Sequence, residues 1–223
     1  MLAPPVVRGG IVARWAALLV GLFLFSLGIV LLLVSRLGLS PWDVLSQGIA
    51  KHTPLSFGDA NIAVALVVLV VAWRLGARIG PGTVANAVLI GLFIDGLLAI
   101  DGIHRLTTEP LGVRVCELVA GILIIGAASG LYLGAALGAG PRDSLMLVIA
   151  KRSGVRIGVV RAVLEICATA AGFALGGKVG IGTLAFAFGI GPAVEASFWA
   201  LARTPIALPA VSAAASPSTI GPA

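Results

Sequence analysis

Residues 15–35, "WAALLVGLFLFSLGIVLLLVS", run for 21 positions without a charge. At about 1.5 Å per helical residue such a run covers roughly 30 Å, the depth of a bilayer's hydrocarbon core. A signal peptide would carry a shorter apolar run and a small-residue cleavage site, so this stretch reads as an uncleaved first helix behind Arg8 and Arg14. The rest of the 223-residue chain agrees: 59% of it is hydrophobic, 11% is charged and the mean hydropathy is +1.13. A soluble domain could not cover its surface with so few polar residues. The expected fold class is all-α, a polytopic membrane helix bundle.

Six segments are long enough to span: about 15–35, 58–74, 81–100, 115–137, 159–177 and 180–202. Two polar connections, after the first and fourth spans, each predict one short helix, at 41–51 and 141–151. Whether those helices re-enter the membrane or lie at its surface stays open at this level. Lys and Arg in the connections favour both termini inside, ten against five by the positive-inside rule. Trp15, Trp73 and Trp199 near span ends suit an interfacial belt. The segment from Thr204 onward is rich in Pro, Ala and Ser, has no charge, and is expected to be disordered.

A shift of 100 residues aligns the chain with itself. "LGLSPWDVL" (37–45) meets "LGAGPRDSL" (137–145), Ile49-Ala50-Lys51 meets Ile149-Ala150-Lys151, and Arg14 meets Arg114. Gly80, Gly82, Thr83 and Gly91 meet Gly180, Gly182, Thr183 and Gly191, and about a quarter of positions 11–100 are identical without a gap. Matched Pro, Asp, Gly and Thr are not explained by apolar composition. The expected organisation is an N-terminal segment 1–14, a three-span unit 15–103, a second three-span unit 104–203 and the tail 204–223. With three crossings each, the second unit would enter from the opposite side, the inverted plan of many secondary transporters.

The polar residues within this frame are the candidates for function. Ser40-Pro41-Trp42-Asp43 has the layout of a helix start, with Ser at the N-cap, Pro41 at the first position and an acid at the third. Gly140-Pro141-Arg142-Asp143 repeats it. Asp43 and Asp143 could each do no more than favour a helix N-terminus, by about 0.3–1 kcal/mol; alternatively they face a cavity that admits a cation or an amine. Asp95 and Glu195 align inside predicted spans, where an acid costs about 2.5–3.5 kcal/mol and usually faces protein or water. They are expected near the midplane as a proton relay or a cationic site, or else as residues paired structurally near a helix end. Glu165 and Glu117 lie in the fifth and fourth spans, Glu165 the deeper. His104 reads as a solvated loop residue. Thr83 and Thr183 read as tightening helix starts. Gly126, Gly130 and Gly134 form a small-xxx-small ridge for helix packing, and Gly91 and Gly191 allow a close backbone one turn before the aligned acids.

Several classes are excluded on sequence. Basic residues sit singly or in pairs at span ends with no aromatic-basic patch, so nucleic acid is not an expected partner. Cys116 and Cys167 both fall in apolar segments, and no Cys/His cluster suggests a metal. Gly172–Lys178 fits the start of a P-loop, but Val179 stands where Ser or Thr is required. No catalytic triad or HExxH helix occurs, so no enzyme and no cofactor are expected.

"LGLSPWDVLSQGIAKHTPLSFGDANI" followed by "IGPGTVANAVLIGLFIDGLL" resembles the YczE group of the YczE/YyaS/YitT bacterial integral membrane proteins. The P-W-D element, the G-x-G-T helix start and the IGLFID stretch carry the resemblance, which covers about 15–203. It implies a small multi-pass protein of the bacterial plasma membrane and transfers no site residue. From the residues, the leading expectation is a small secondary transporter or permease, with lipid, a small solute or proton, and a further copy of the chain as candidate partners. The alternative is a non-transporting scaffold or accessory subunit.

Overall fold

The computed structural model describes residues 6–8, 10–204 and 207–208. Among these, nine α-helices account for most of the described residues: α1 (Ile11–Ser35), α2 (Pro41–His52), α3 (Phe57–Arg74), α4 (Pro81–Leu98), α5 (Asp101–Arg105), α6 (Leu111–Gly134), α7 (Pro141–Ser153), α8 (Ile157–Ala174) and α9 (Ile181–Ala202). Six of them, α1, α3, α4, α6, α8 and α9, are long and apolar enough to cross a membrane. They correspond to the six expected spans, and the two short helices fall at α2 and α7. The connection at 101–108 is more ordered than expected, holding α5 and a 3-10 turn at Leu106–Thr108. His104 therefore lies within a short helix. Val6–Val7 (β1) and Ala207–Leu208 (β2) pair antiparallel, so the two ends of the described chain meet. Within the expected disordered tail this small pairing is an ordered exception; 209–223 lie outside the described residues.

Local chemistry sets the short helices. Ser40 caps α2, its hydroxyl accepting from the Asp43 backbone N–H at 3.4 Å, and Pro41 occupies the first turn, where its missing N–H costs nothing. Pro141 does the same for α7, which stops at Gly154 in the left-handed region (φ +70°). Thr83 and Thr183 do tighten helix starts: each hydroxyl accepts from the N–H three residues earlier, Gly80 and Gly180, at 3.3 Å.

The bundle is organised around α1 and α6, which pack antiparallel along their length. Arg14, in the first turn of α1, donates through Nε to the Ala135 carbonyl at 2.6 Å, just past the end of α6. Arg114, in the first turn of α6, donates to the Ser35 carbonyl at the end of α1 at 2.7 Å. Each arginine thus satisfies a terminal carbonyl that helix geometry leaves unpaired, and places positive charge at the negative end of the dipole. Between these ends Leu18, Leu22, Ile29, Ile122 and Ile125 fill the core. α4 flanks α1 and α9 flanks α6, with Gly126 and Gly130 admitting Ala193 and Ser197 of α9. Gly134 is buried at the end of the same helix.

The outer helices pack on helices distant in the sequence as well as on their neighbours. α2 packs on α8 and α7 packs on α3. Gly172 of α8 lies against the backbone of Val44 and Leu45, with no room for a Cβ. The loops entering α2 and α7 are swapped as well: Gly182 N–H donates to the Leu37 carbonyl at 2.8 Å, and Gly82 N–H to the Leu137 carbonyl at 3.0 Å. Gly38 (φ +136°) and Gly138 (φ +133°) allow this approach, since a Cβ on either would overlap Thr183 or Thr83. One relationship is not matched. α3 packs along α4 while α8 stands apart from α9, leaving both of the latter largely exposed. Gly91 accordingly touches the Gly58 carbonyl and Ile62, whereas Gly191, expected to do likewise, faces open space.

Candidate functional site

The N-termini of α2 and α7 both point into the protein and meet between the two units. Asp43 is 1% exposed, whereas Lys51 and His52 at the other end of α2 are exposed. Its carboxylate accepts from the Ser40 hydroxyl and, at 3.1 Å, from Asn61 Nδ2 on α3. Across the interface the Arg142 guanidinium approaches Asp43 Oδ1 at 3.8 Å. That distance is an ion pair rather than a hydrogen bond, so the attraction is Coulombic and no directional bond locks the helices together. The same guanidinium lies over the Trp42 ring, 5.3 Å from its centroid.

Asp143 is anchored from the other direction, accepting from the Tyr132 hydroxyl of α6 at 2.9 Å. Burial pushes the Asp43 carboxyl up from the ordinary carboxylate range, against the pull of Arg142, Ser40 and Asn61. Asp143 is raised for the same reason, with Tyr132, Arg161 and Arg142 opposing. On α8, Arg161 binds Glu165 at 2.8 Å. The three carboxylates and two guanidiniums of this cluster leave it one positive charge short of neutrality, with Asp143 held by a neutral hydroxyl.

The remaining sequence candidates are dispersed. Asp95, expected near the midplane, is engaged at a helix start. It lies in the last turn of α4, accepts from the Ser56 hydroxyl, and accepts from the Gly58 N–H at 2.9 Å, so it caps the start of α3. Glu195 is exposed on α9, beside Pro192 and Trp199 at an open groove, with no acid opposite. The aligned acids are thus not brought together, because the separation of α8 from α9 removes the helix start that Glu195 would cap. Glu165 belongs to the Arg161 pair. Pro41 and Pro141 hold the two inward helix starts.

Three contributors to the central cluster were not singled out from the sequence: Tyr132, Asn61 and Arg161. Asn61 and Arg161 carried a usable signal, since they align at the 100-residue offset and are polar positions one turn inside their spans. Glu117 is a further polar residue of the interior, 7% exposed, with neither carboxylate oxygen hydrogen-bonded.

An all-helical bundle with six apolar spans and a polar centre defines a multi-pass membrane protein. The chain belongs to the family of unknown function DUF6198, whose model matches residues 12–197. It is similar to an uncharacterized protein of Haemophilus influenzae, 40% identical over 191 residues that cover 84% of each chain. It is also similar to the uncharacterized membrane protein YczE of Bacillus subtilis, 34% identical over 78% of this chain and 80% of the relative. The uncharacterized protein YyaS of the same organism is 28% identical over 74% of this chain and 82% of the relative. No solved structure matches.

Proposed function

We propose that the protein is a small secondary transporter of the bacterial plasma membrane, built from two inverted repeats, α1–α4 and α6–α9, that rock about the α1–α6 pair. The observation that carries this reading is the meeting of α2 and α7, N-terminus to N-terminus, at Asp43, Arg142 and Asp143. Short helices whose ends converge between inverted units form the solute sites of many such proteins. On this reading α2 and α7 are re-entrant, opening toward opposite faces of the membrane, and both chain termini are cytoplasmic.

The chemistry of the centre suits a small polar solute carrying charge. An anionic group would take Arg142 from Asp43; a cationic group or proton would take a carboxylate. Either exchange weakens the 3.8 Å pair joining the two units, which couples binding to their relative movement. Uptake into proteoliposomes, across a panel of amino acids, amines and organic anions with a proton gradient imposed, tests the proposal. Wild-type flux should be abolished in Asp43→Asn and Asp143→Asn and retained in Asp95→Asn. Equal flux in all four proteins, or none in the wild type, would refute it.

A second reading, a membrane scaffold or accessory subunit, draws on the exposed faces of α8 and α9. A lipid-facing Glu195 is costly, and a partner helix or another copy of the chain docking there would relieve it. Crosslinking through a cysteine at Phe188, which is 80% exposed, distinguishes the two.

A further inference from the structure

A cavity of about 500 Å³ opens on the face opposite the chain termini, between the end of α1, the second half of α2, the end of α4 and the connection preceding α9. Arg36, Lys51 and Lys178 line it, and no carboxylate does. Its inner wall is apolar, formed by Leu32, Leu33 and Leu98.

The three cations are arranged differently. Lys51 donates through Nζ to the Gly176 carbonyl, which fixes its position. Lys178 is held by its backbone, its N–H donating to Gln47 Oε1 at 2.7 Å, and its ammonium makes no described contact with protein. Arg36 sits in the left-handed region at φ +55°, an unusual conformation for an arginine. Its guanidinium is likewise without a described partner.

The residues 100 positions on show what is particular to this side. Ala136 has the same left-handed backbone, φ +50°, but offers no charge, and Leu147 stands in place of Gln47. The backbone and two of the three charges recur there, at Lys151 and Arg78; Arg36 and Gln47 are particular to this face.

We propose that this cavity binds a phosphate-bearing anion, with Arg36 and Lys178 as its ligands and Lys51 as a neighbouring positive charge. Three cations with no acid between them match a multiply hydrogen-bonding anion, and Arg gives such a group two parallel N–H donors. The apolar wall accommodates an acyl or other hydrocarbon portion. Two sources have this chemistry: the headgroup of an anionic phospholipid and free phosphate. The site stands apart from the central cluster and does not depend on transport.

The test uses the full chain purified in neutral detergent, with binding measured by native mass spectrometry and by thermal shift. The probes are phosphatidylglycerol, phosphatidylcholine and inorganic phosphate. Phosphatidylglycerol, phosphate or both should bind and raise Tm where phosphatidylcholine does not; phosphatidylglycerol alone identifies a lipid site, and phosphate binding identifies a free-anion site. The Arg36→Gln/Lys178→Gln variant should weaken that binding by about tenfold or more, equivalent to about 1.4 kcal/mol. Arg78→Gln/Lys151→Gln, changing basic residues that lie 100 positions from Lys178 and Lys51, should leave it intact. High salt should weaken binding by the wild type without any mutation, which reads the electrostatic character independently of folding. No preference for anionic over neutral probes, or equal loss in both variants, would overturn the assignment.

Discussion

Trp42 and Arg142, 100 residues apart and equivalent in the repeated element, stack on one another, with the guanidinium 5.3 Å from the ring centroid. If the two units are related by a pseudo-two-fold axis, this position lies beside that axis and meets its own counterpart. Two arginines there would repel, and two tryptophans would leave Asp43 buried without a cation. On that arrangement the difference between Trp42 and Arg142 falls where the two copies touch. Exchanging the pair tests this. Arg142→Trp removes the ion partner of Asp43 and should cost about 3 kcal/mol, the lower end for breaking a buried pair. Trp42→Arg sets two guanidiniums face to face. The double exchange, placing Arg beside Asp143 instead, should recover most of the stability lost in Arg142→Trp. Unfolding by denaturant in micelles, arranged as a double-mutant cycle, measures the recovery.

Arg14 and Arg114 should contribute independently, Arg14 at least as much, since it also donates to the Ala136 carbonyl. Each donates to a carbonyl at the end of the facing helix, and hydrogen bonds to charged groups are worth about 1.5–3 kcal/mol. Arg14→Gln and Arg114→Gln should each destabilise by about 1.5 kcal/mol. The double variant should lose the sum of the two, since the contacts lie at opposite ends of the α1–α6 pair. No loss in either single variant in the same denaturation assay would argue against reciprocal capping.

Glu117 makes the opposite prediction. Both of its carboxylate oxygens are buried without a hydrogen bond, a state that carries a desolvation cost of about 1–3 kcal/mol. Glu117→Met keeps the length of the side chain and removes the charge. It should raise Tm and leave solute flux unchanged. A fall in Tm would assign the carboxyl a structural partner, and loss of flux with normal stability would move it into the transport path.

The sequence carried the spans and the two short helices because those depend on local chemistry. Fifteen or more apolar positions, or a Ser-Pro-x-Asp start, declare themselves without a partner. The site was less legible because its residues act across the chain. Asp95 aligned with Glu195 and both sit in spans, yet Asp95 is consumed by Ser56 and Gly58, 39 and 37 residues away. Nothing in the pattern indicates that α8 stands apart from α9, so the two acids looked equivalent when their surroundings are not. Arg142 was counted among the connection charges that orient the chain. It lies instead at the centre, drawn there by Asp43 and Trp42, and with Arg161 of the same cluster that removes two charges from the inner side of the count. Tyr132 gave no signal at all, because the residue 100 positions earlier is Leu32.

The orientation of the two units is the claim on which the rest depends, and labelling measures it directly. With Cys116 and Cys167, both exposed, replaced by serine, single cysteines at His52 and Arg152 mark the outward ends of α2 and α7. A membrane-impermeant maleimide applied to intact cells should label the cysteine at 52 and reach the one at 152 only after permeabilisation. Labelling of both positions from the same side would contradict the inverted arrangement, and with it the proposal that the two helix starts meet from opposite faces of the membrane.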